Sequence, residues 1–204
     1  MNTIKVRSTC LLLIIFASFL FLSGCATKVT RMDVDEEKDL SGAWNDTDSR
    51  LVSEEMIEDM LQRPWVSEYQ NSNGKRPTVI VGEVRNLSHE HLNVNTFIAD
   101  IERAMINSGR IDFVASSVDR QEIREERKDQ DLNSQEDTRN AMGQETGANF
   151  MLKGQINTII DQASKDQVRY YQVDLTLISM KDNRKVWLGQ KKIKKFVKRS
   201  KLRY

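Results

Sequence analysis

The sequence predicts one α/β domain, built on a mixed, mostly antiparallel sheet of four to five strands flanked by helices. Three observations lead there. From Phe150 to Phe196, apolar and polar residues alternate at period two, as half-buried strands require. Ahead of that stretch, apolar residues recur at helical spacing in two segments. Between those segments, Val79-Ile80-Val81 is apolar without alternation, the pattern of a central strand covered on both faces. With 204 residues the chain is long enough for a single hydrophobic core.

Taken in order, Asp46, Thr47 or Asp48 offers a helix cap, and Leu51, Val52, Met56, Met60 and Leu61 share a helical face up to Pro64. This predicts a helix over 48–62. Trp65 and Tyr69 carry apolar surface past the proline and are expected to pack back on the core, and Asn73-Gly74 with Pro77 then breaks the chain. A strand is expected over 78–84, a polar loop over 86–95, and then a helix in which Phe97, Ile101, Ala104 and Met105 share a face until Gly109 stops it. A short strand follows over 111–115. Residues 118–130 have helical propensity but only Val118 and Ile123 as apolar anchors among many charges, so that helix is expected to be largely exposed. A third helix is expected over 135–146, ended by Gly147.

In the last third, Phe150, Leu152, Ile156 and Ile160 fall opposite Lys153, Gln155 and Asn157. Tyr171, Val173, Leu175 and Leu177 likewise oppose Gln172, Asp174 and Thr176. After a turn at Lys181-Asp182-Asn183-Arg184, residues 186–196 form a further strand with Trp187 and Ile193 on one side. Short links between these three strands give an antiparallel meander.

The first 24 residues read as a signal peptide. Lys5 and Arg7 precede an uncharged apolar run of 13 residues from Cys10 to Leu22, where a membrane span would need roughly 20. Leu22-Ser23-Gly24-Cys25 closes the run and resembles the lipobox of bacterial lipoproteins, with small residues at the cut and a thiol at Cys25 to carry the lipid. Cleavage there also removes Cys10, so no cysteine remains for catalysis, a disulfide or a metal. By the same resemblance, Ala26 in place of an aspartate favours the outer membrane, with the domain facing the periplasm. Residues 25–39 then form a lipidated tether, 40–197 the globular domain and 198–204 a basic tail. The 14 residues from Ala26 to Asp39 extend at most about 50 Å. Charge is uneven: residues 191–204 hold eight bases and no acid, whereas 25–190 hold 21 bases and 30 acids.

Little in the chain invites catalysis. His89-Glu90-His91 contains the only two histidines, which an extended backbone would point the same way, but no further ligand accompanies them. No metal is assigned. Glu125, Glu126 and Asp129 sit among arginines at helical pairing distance, which accounts for them as a solvated face. Ser88 neighbours a histidine without the glycine pattern of a nucleophile elbow, and no glycine-rich phosphate loop occurs. No catalytic residue, cofactor or small-molecule substrate is therefore assigned. The basic tail would suggest nucleic acid in a cytosolic protein, an option the anchor removes. Its lysines either guard a sheet edge or draw the domain to anionic lipid headgroups or wall polymer.

Several segments together carry a family resemblance: Asp39-Leu40-Ser41-Gly42, Trp44-Asn45-Asp46-Thr47-Asp48-Ser49-Arg50, Val81-Gly82-Glu83-Val84-Arg85-Asn86, Asp100-Ile101-Glu102 and Asn107-Ser108-Gly109. Arg124-Glu125-Glu126-Arg127 before Asp129-Gln130, Gly147-Ala148-Asn149-Phe150 and Val186-Trp187-Leu188-Gly189 complete the set. Over residues 39–197 the chain resembles the LpoB family, lipoprotein activators of penicillin-binding proteins. The resemblance implies a four-stranded sheet with flanking helices. It also implies a domain that docks on a bifunctional peptidoglycan synthase, a class A penicillin-binding protein, and stimulates glycan polymerisation and cross-linking. The best-known members have a long, proline-rich linker, whereas this tether is short and has no proline.

The expectation is thus a binding protein rather than an enzyme, with a membrane contact through its lipid. Two surfaces are candidates for the partner: the loop bearing Asn86, Ser88, His89 and His91, and the helix bearing Arg120, Arg124 and Arg127. Each reads equally as ordinary solvated surface. The alternative function is an accessory lipoprotein of a curli-type secretion or other envelope assembly, in a role that needs no long membrane hairpins.

Overall fold

In the computed structural model, which describes residues 29–33 and 36–198, the chain divides into Met1–Glu36 and Glu37–Tyr204. The signal segment, Cys25 and residues 199–204 lie outside the described residues. The first unit's described residues form no helix or strand; Glu36 N–H donates to Asp33 O at 3.2 Å. All the elements named below belong to the second unit.

Helix α1 (Asp46–Gln62) starts two residues before the expected 48, because Asn45 rather than an aspartate or Thr47 is the cap. Its side chain accepts from Asp48 N at 2.9 Å and Asp48 Oδ2 accepts from Asn45 N at 3.0 Å, a reciprocal box that satisfies two otherwise orphan donors. The face of Val52, Met56, Ile57, Met60 and Leu61 is buried. Past Pro64 the chain forms a second helix, α2 (Trp65–Asn73), where only apolar surface was expected. Proline is tolerated at a helix start because its missing N–H would be unpaired there anyway. Trp65 does pack back: its Nε1 donates to Met60 O at 2.8 Å, and its ring meets Phe150 edge-on at 4.9 Å.

Strand β1 (Thr78–Leu87) runs three residues beyond expectation, and its first four residues are all buried. Helix α3 (Val94–Asn107) buries Phe97, Ile101 and Met105 and stops at Ser108-Gly109, with Gly109 at φ 63°. Strand β2 keeps only Asp112–Phe113 of the expected five residues. Helix α4 (Ser117–Asn133), capped by Ser116, buries none of its residues, as its charges foretell.

The helix expected over 135–146 does not form; those residues are turns and irregular chain, with Gly143 at φ 80°. Its only apolar side chains are Ala141 and Met142, and Met142 is exposed. A helix this short needs an apolar face packed on something, and propensity alone does not hold it.

Strands β3 (Phe150–Ala163), β4 (Asp166–Ser179) and β5 (Lys185–Lys198) form the expected meander. The sheet order is β2-β1-β3-β4-β5, parallel across β2, β1 and β3 and antiparallel from β3 onward. One face packs against α1 and α3 over a core that includes Leu152, Ile156, Tyr171, Val173, Leu175 and Leu177. Gly189 faces that core because a side chain would not fit: a Cβ there would lie 2.2 Å from the Trp187 ring. The indole so admitted donates from Nε1 to Asp59 Oδ2 at 2.8 Å. That bond, with Arg63 beside it, holds the Asp59 carboxyl below the usual range.

β1 pairs with β3 only as far as Asn157, while β3, β4 and β5 continue to Ala163, Asp166 and Lys198. The sheet therefore has a three-stranded far end. Residues 39–44 reach the inner face of that end, where Gly42, at φ 65°, comes so close to Val197 that a Cβ would lie 2.2 Å from its methyl carbon.

Candidate partner-docking surfaces

The loop after β1 is organised by its own polar side chains. Asn86 donates from Nδ2 to Glu90 O at 2.8 Å, while its Oδ1 accepts from Ser88 N at 2.9 Å and Ser88 Oγ at 2.6 Å. Asn86 and Ser88, both half-buried, thus shape the loop rather than present themselves. What the loop presents is Leu87, His89 and His91, all exposed. His89 is fixed at its backbone, whose N–H donates to Thr158 Oγ1 at 3.1 Å.

Glu90, read only as the middle of a histidine pair, turns out to be the loop's anchor. Its Oε1 accepts from Tyr171 Oη at 2.7 Å and Arg169 Nη1 at 2.8 Å, and its Oε2 accepts from Trp44 N at 3.2 Å. Its side chain is only 16% exposed. The carboxylate therefore joins the loop, the inner face of β4 and the entering chain at one point. Tyr171 Oη also lies 3.2 Å from Gly42 O. Burial, and then the Glu90 carboxylate beside it, pushes the Tyr171 phenol above its ordinary value. Trp44 closes the cluster with its ring edge-on to Phe97 and Tyr171 at 6.1 and 5.7 Å.

A second clasp lies one strand over. Lys195 points inward from β5, and its Nζ donates to Asp48 Oδ2 at 2.5 Å, Asp39 Oδ1 at 2.7 Å and Ala43 O at 3.3 Å. Burial alone would lower the Lys195 ammonium, but the two carboxylates outweigh it and leave it raised. Lys191, also inward, pairs with Glu55 of α1. The strand's alternation thus divides the lysine run into an inward row that pairs and an outward row, Lys192, Lys194 and Lys198, that is exposed.

On α4, Arg124 grips Glu145 with two hydrogen bonds, Nε–Oε1 at 2.8 Å and Nη2–Oε2 at 2.7 Å, and Arg127 Nη1 adds a third at 3.2 Å. These arginines clasp the irregular 135–149 segment to the helix, which the expectation of a helix there concealed. The Arg124 hydrogen bonds hold the Glu145 carboxyl below its usual range. Arg120 differs from both: its Nε is buried and has no hydrogen-bond partner. Among the described residues, no hydrogen bond or ion pair joins the loop to α4, so they are two separate surfaces.

An open cleft of about 970 Å³ lies at the other end of the sheet, between α2 and the β4–β5 turn. Trp65, Tyr69, Phe150, Met180, Arg63 and Arg184 line it. Among the described residues, no group of three potential ligands is placed to hold a metal, and no helix is long and apolar enough to cross a membrane.

The fold and these surfaces describe an α/β domain with clasped loops and exposed polar patches. Residues 48–193 match the family model described as peptidoglycan-synthase activator LpoB, and the chain belongs to that family. Among solved structures, it is similar to the C-terminal domain of LpoB from Salmonella enterica, at 15% identity over 72% of this chain and 98% of that one, with a TM-score of 0.40. For LpoB from E. coli the identity is 14%, over 87% and 84% of the two chains, with a TM-score of 0.41. Lipoprotein GNA1162 from Neisseria meningitidis gives 15% identity over 62% and 88%, with a TM-score of 0.37. No curated protein matches the sequence.

Proposed function

We propose that this protein is a lipid-anchored, non-enzymatic activator of a peptidoglycan synthase. The single observation that carries the reading is the family match across residues 48–193, which spans nearly the whole folded domain. In this reading Cys25 carries the lipid, residues 25–39 are the tether, and the domain faces the periplasm from the outer membrane. The partner is a class A penicillin-binding protein. Activation requires that the domain bind an active conformation of the synthase more tightly than an inactive one, since equal affinity shifts no equilibrium.

The loop after β1 is the better-built docking surface. Asn86, Ser88 and Glu90 hold its backbone from behind, so Leu87, His89 and His91 meet a partner with little ordering left to lose. On α4, Arg124 and Arg127 are engaged with Glu145, so a partner acidic group there would compete with an existing ion pair. The test is capture of purified class A synthases by the lipidated protein, coupled to a glycan-polymerisation assay. Binding with a faster polymerisation rate supports the reading, and neither with any synthase of the organism overturns it.

A further inference from the structure

The outer face of the sheet's far end combines apolar and basic side chains in a way the docking loop and α4 do not use. Strand register places Ile159, Tyr170 and Lys194 side by side across β3, β4 and β5, roughly 10 Å from end to end. The next outward row adds Phe196 beside Val168, and Lys192 and Lys198 flank them along β5. Ile159 and Phe196 are each 64% exposed. Two large apolar side chains this exposed on neighbouring rows, rimmed by lysines, suit an interaction surface better than singly scattered ones do. Asp161 and Asp166 are the acids of the far end's outer face, Asp166 lying opposite Lys198 in the register, and Asp174 stands one outward row away from Lys192.

Two facts indicate what covers the patch. Charge is the first: β5 turns three lysines to this face, and residues 191–204 hold eight bases and no acid in a sequence that is otherwise acidic after the first 24 residues. Position is the second. Lys195 and Val197 hold Asp39 and Gly42, so the tether joins the domain at the same end of the sheet. Only 13 residues separate Asp39 of that clasp from Cys25. We propose that the outer face of the far end, through Ile159, Tyr170, Phe196, Lys192, Lys194 and Lys198, seats on anionic lipid headgroups of the membrane that holds the anchor.

Aromatic and apolar side chains reach the headgroup boundary while lysine ammonium groups meet phosphates, the arrangement of a surface-lying rather than spanning element. The short tether keeps the local membrane concentration high, so weak contacts suffice. Docking would fix the domain's orientation and present the loop after β1, which Glu90 ties to this end, at a set height above the bilayer. The inference rests on the reading of Cys25 as the lipid-bearing residue.

The experiment reconstitutes the full lipidated protein into phosphatidylcholine vesicles with and without phosphatidylglycerol. Once Cys25 is acylated the chain has no other thiol, so Ala163→Cys on the outer face and Ser72→Cys on α2 can each carry one environment-sensitive fluorophore. The expected result is a blue-shifted, lipid-quenchable signal at position 163 in anionic vesicles, none at position 72, and loss of the signal at high salt. Each lysine near an anionic surface contributes roughly fivefold, so K192Q/K194Q/K198Q lowers the docking equilibrium constant on the order of a hundredfold. The salt titration measures the same electrostatic contribution without any charge variant. An equal signal in both vesicle types, no difference between positions 163 and 72, or shielding of 163 only after a synthase is added would each overturn the proposal. A protein that fails to float with either vesicle overturns the anchor reading itself.

Discussion

Replacing Glu90 with alanine removes one carboxylate and leaves three donors facing an empty site. Tyr171 Oη keeps only the longer contact to Gly42 O, Arg169 keeps only its Nε bond to Gln167, and Trp44 N loses its acceptor. Removing one partner of a buried ion pair costs about 3–5 kcal/mol. Here both side chains retain about one-sixth of their exposure, so the lower end, about 3 kcal/mol, applies. For a domain of this size that is a fall in Tm of about 6–12 °C. Glu90→Gln is the informative companion. Its Oε1 still accepts from Tyr171 and Arg169, but an amide N–H now opposes Trp44 N–H, so a smaller loss of about 1 kcal/mol is expected. Chemical denaturation of the three proteins measures the series, and a double-mutant cycle with Tyr171→Phe should show coupling of at least about 1 kcal/mol. Wild-type stability in Glu90→Ala, or no coupling, would refute the account of Glu90 as the anchor of the loop.

Lys195→Met should cost about 2 kcal/mol and expose the 39–45 segment to protease, because it strands the nearly buried Asp48 carboxylate. The raised Tyr171 and Lys195 groups both bind their protons more tightly in the folded state. Their contribution is therefore complete below their ordinary values, near 10 and 10.5, and declines as pH rises beyond them. Melting temperature should accordingly fall above about pH 10, and the fall should be shallower in Tyr171→Phe with Lys195→Met. Gly189→Ala forces a methyl group into the Trp187 ring and should destabilise by about 1–3 kcal/mol, read by denaturation, with loss of the ordered tryptophan signal in near-ultraviolet circular dichroism. Leu87→Asp with His91→Asp should lower Tm only slightly, since Leu87 is about half exposed at the end of β1 and His91 is exposed, while weakening synthase binding at least about tenfold.

Much of the fold was legible because burial on one face leaves a period in the sequence. Leu152 and Ile156, and Tyr171 through Leu177, alternate cleanly, and the register shows each on the inner face. The exposed α4 was legible for the opposite reason, since Val118 and Ile123 could not anchor it and neither is buried. What failed was local propensity without a packing partner: residues 135–146 look helical, but nothing there is apolar enough to bury, and Glu145 answers to Arg124 instead. The loop expected over 86–95 is shorter, since β1 runs to Leu87 and the next helix begins at Val94, and its wiring was not visible. Glu90 meets residues 79 and 81 positions further on, and no spacing rule reports a contact that only the folded sheet creates. The lysine run was likewise one feature in the sequence and two in the fold, because β5 turns alternate residues to opposite faces.

Activation itself is tested most directly by adding the lipidated protein to a purified class A synthase and measuring glycan chain formation and peptide cross-linking with and without it. The account predicts a saturable rise in the polymerisation rate that Leu87→Asp with His91→Asp abolishes while the fold stays intact. An unchanged rate, with no complex formed between this protein and any class A synthase of its organism, would contradict it.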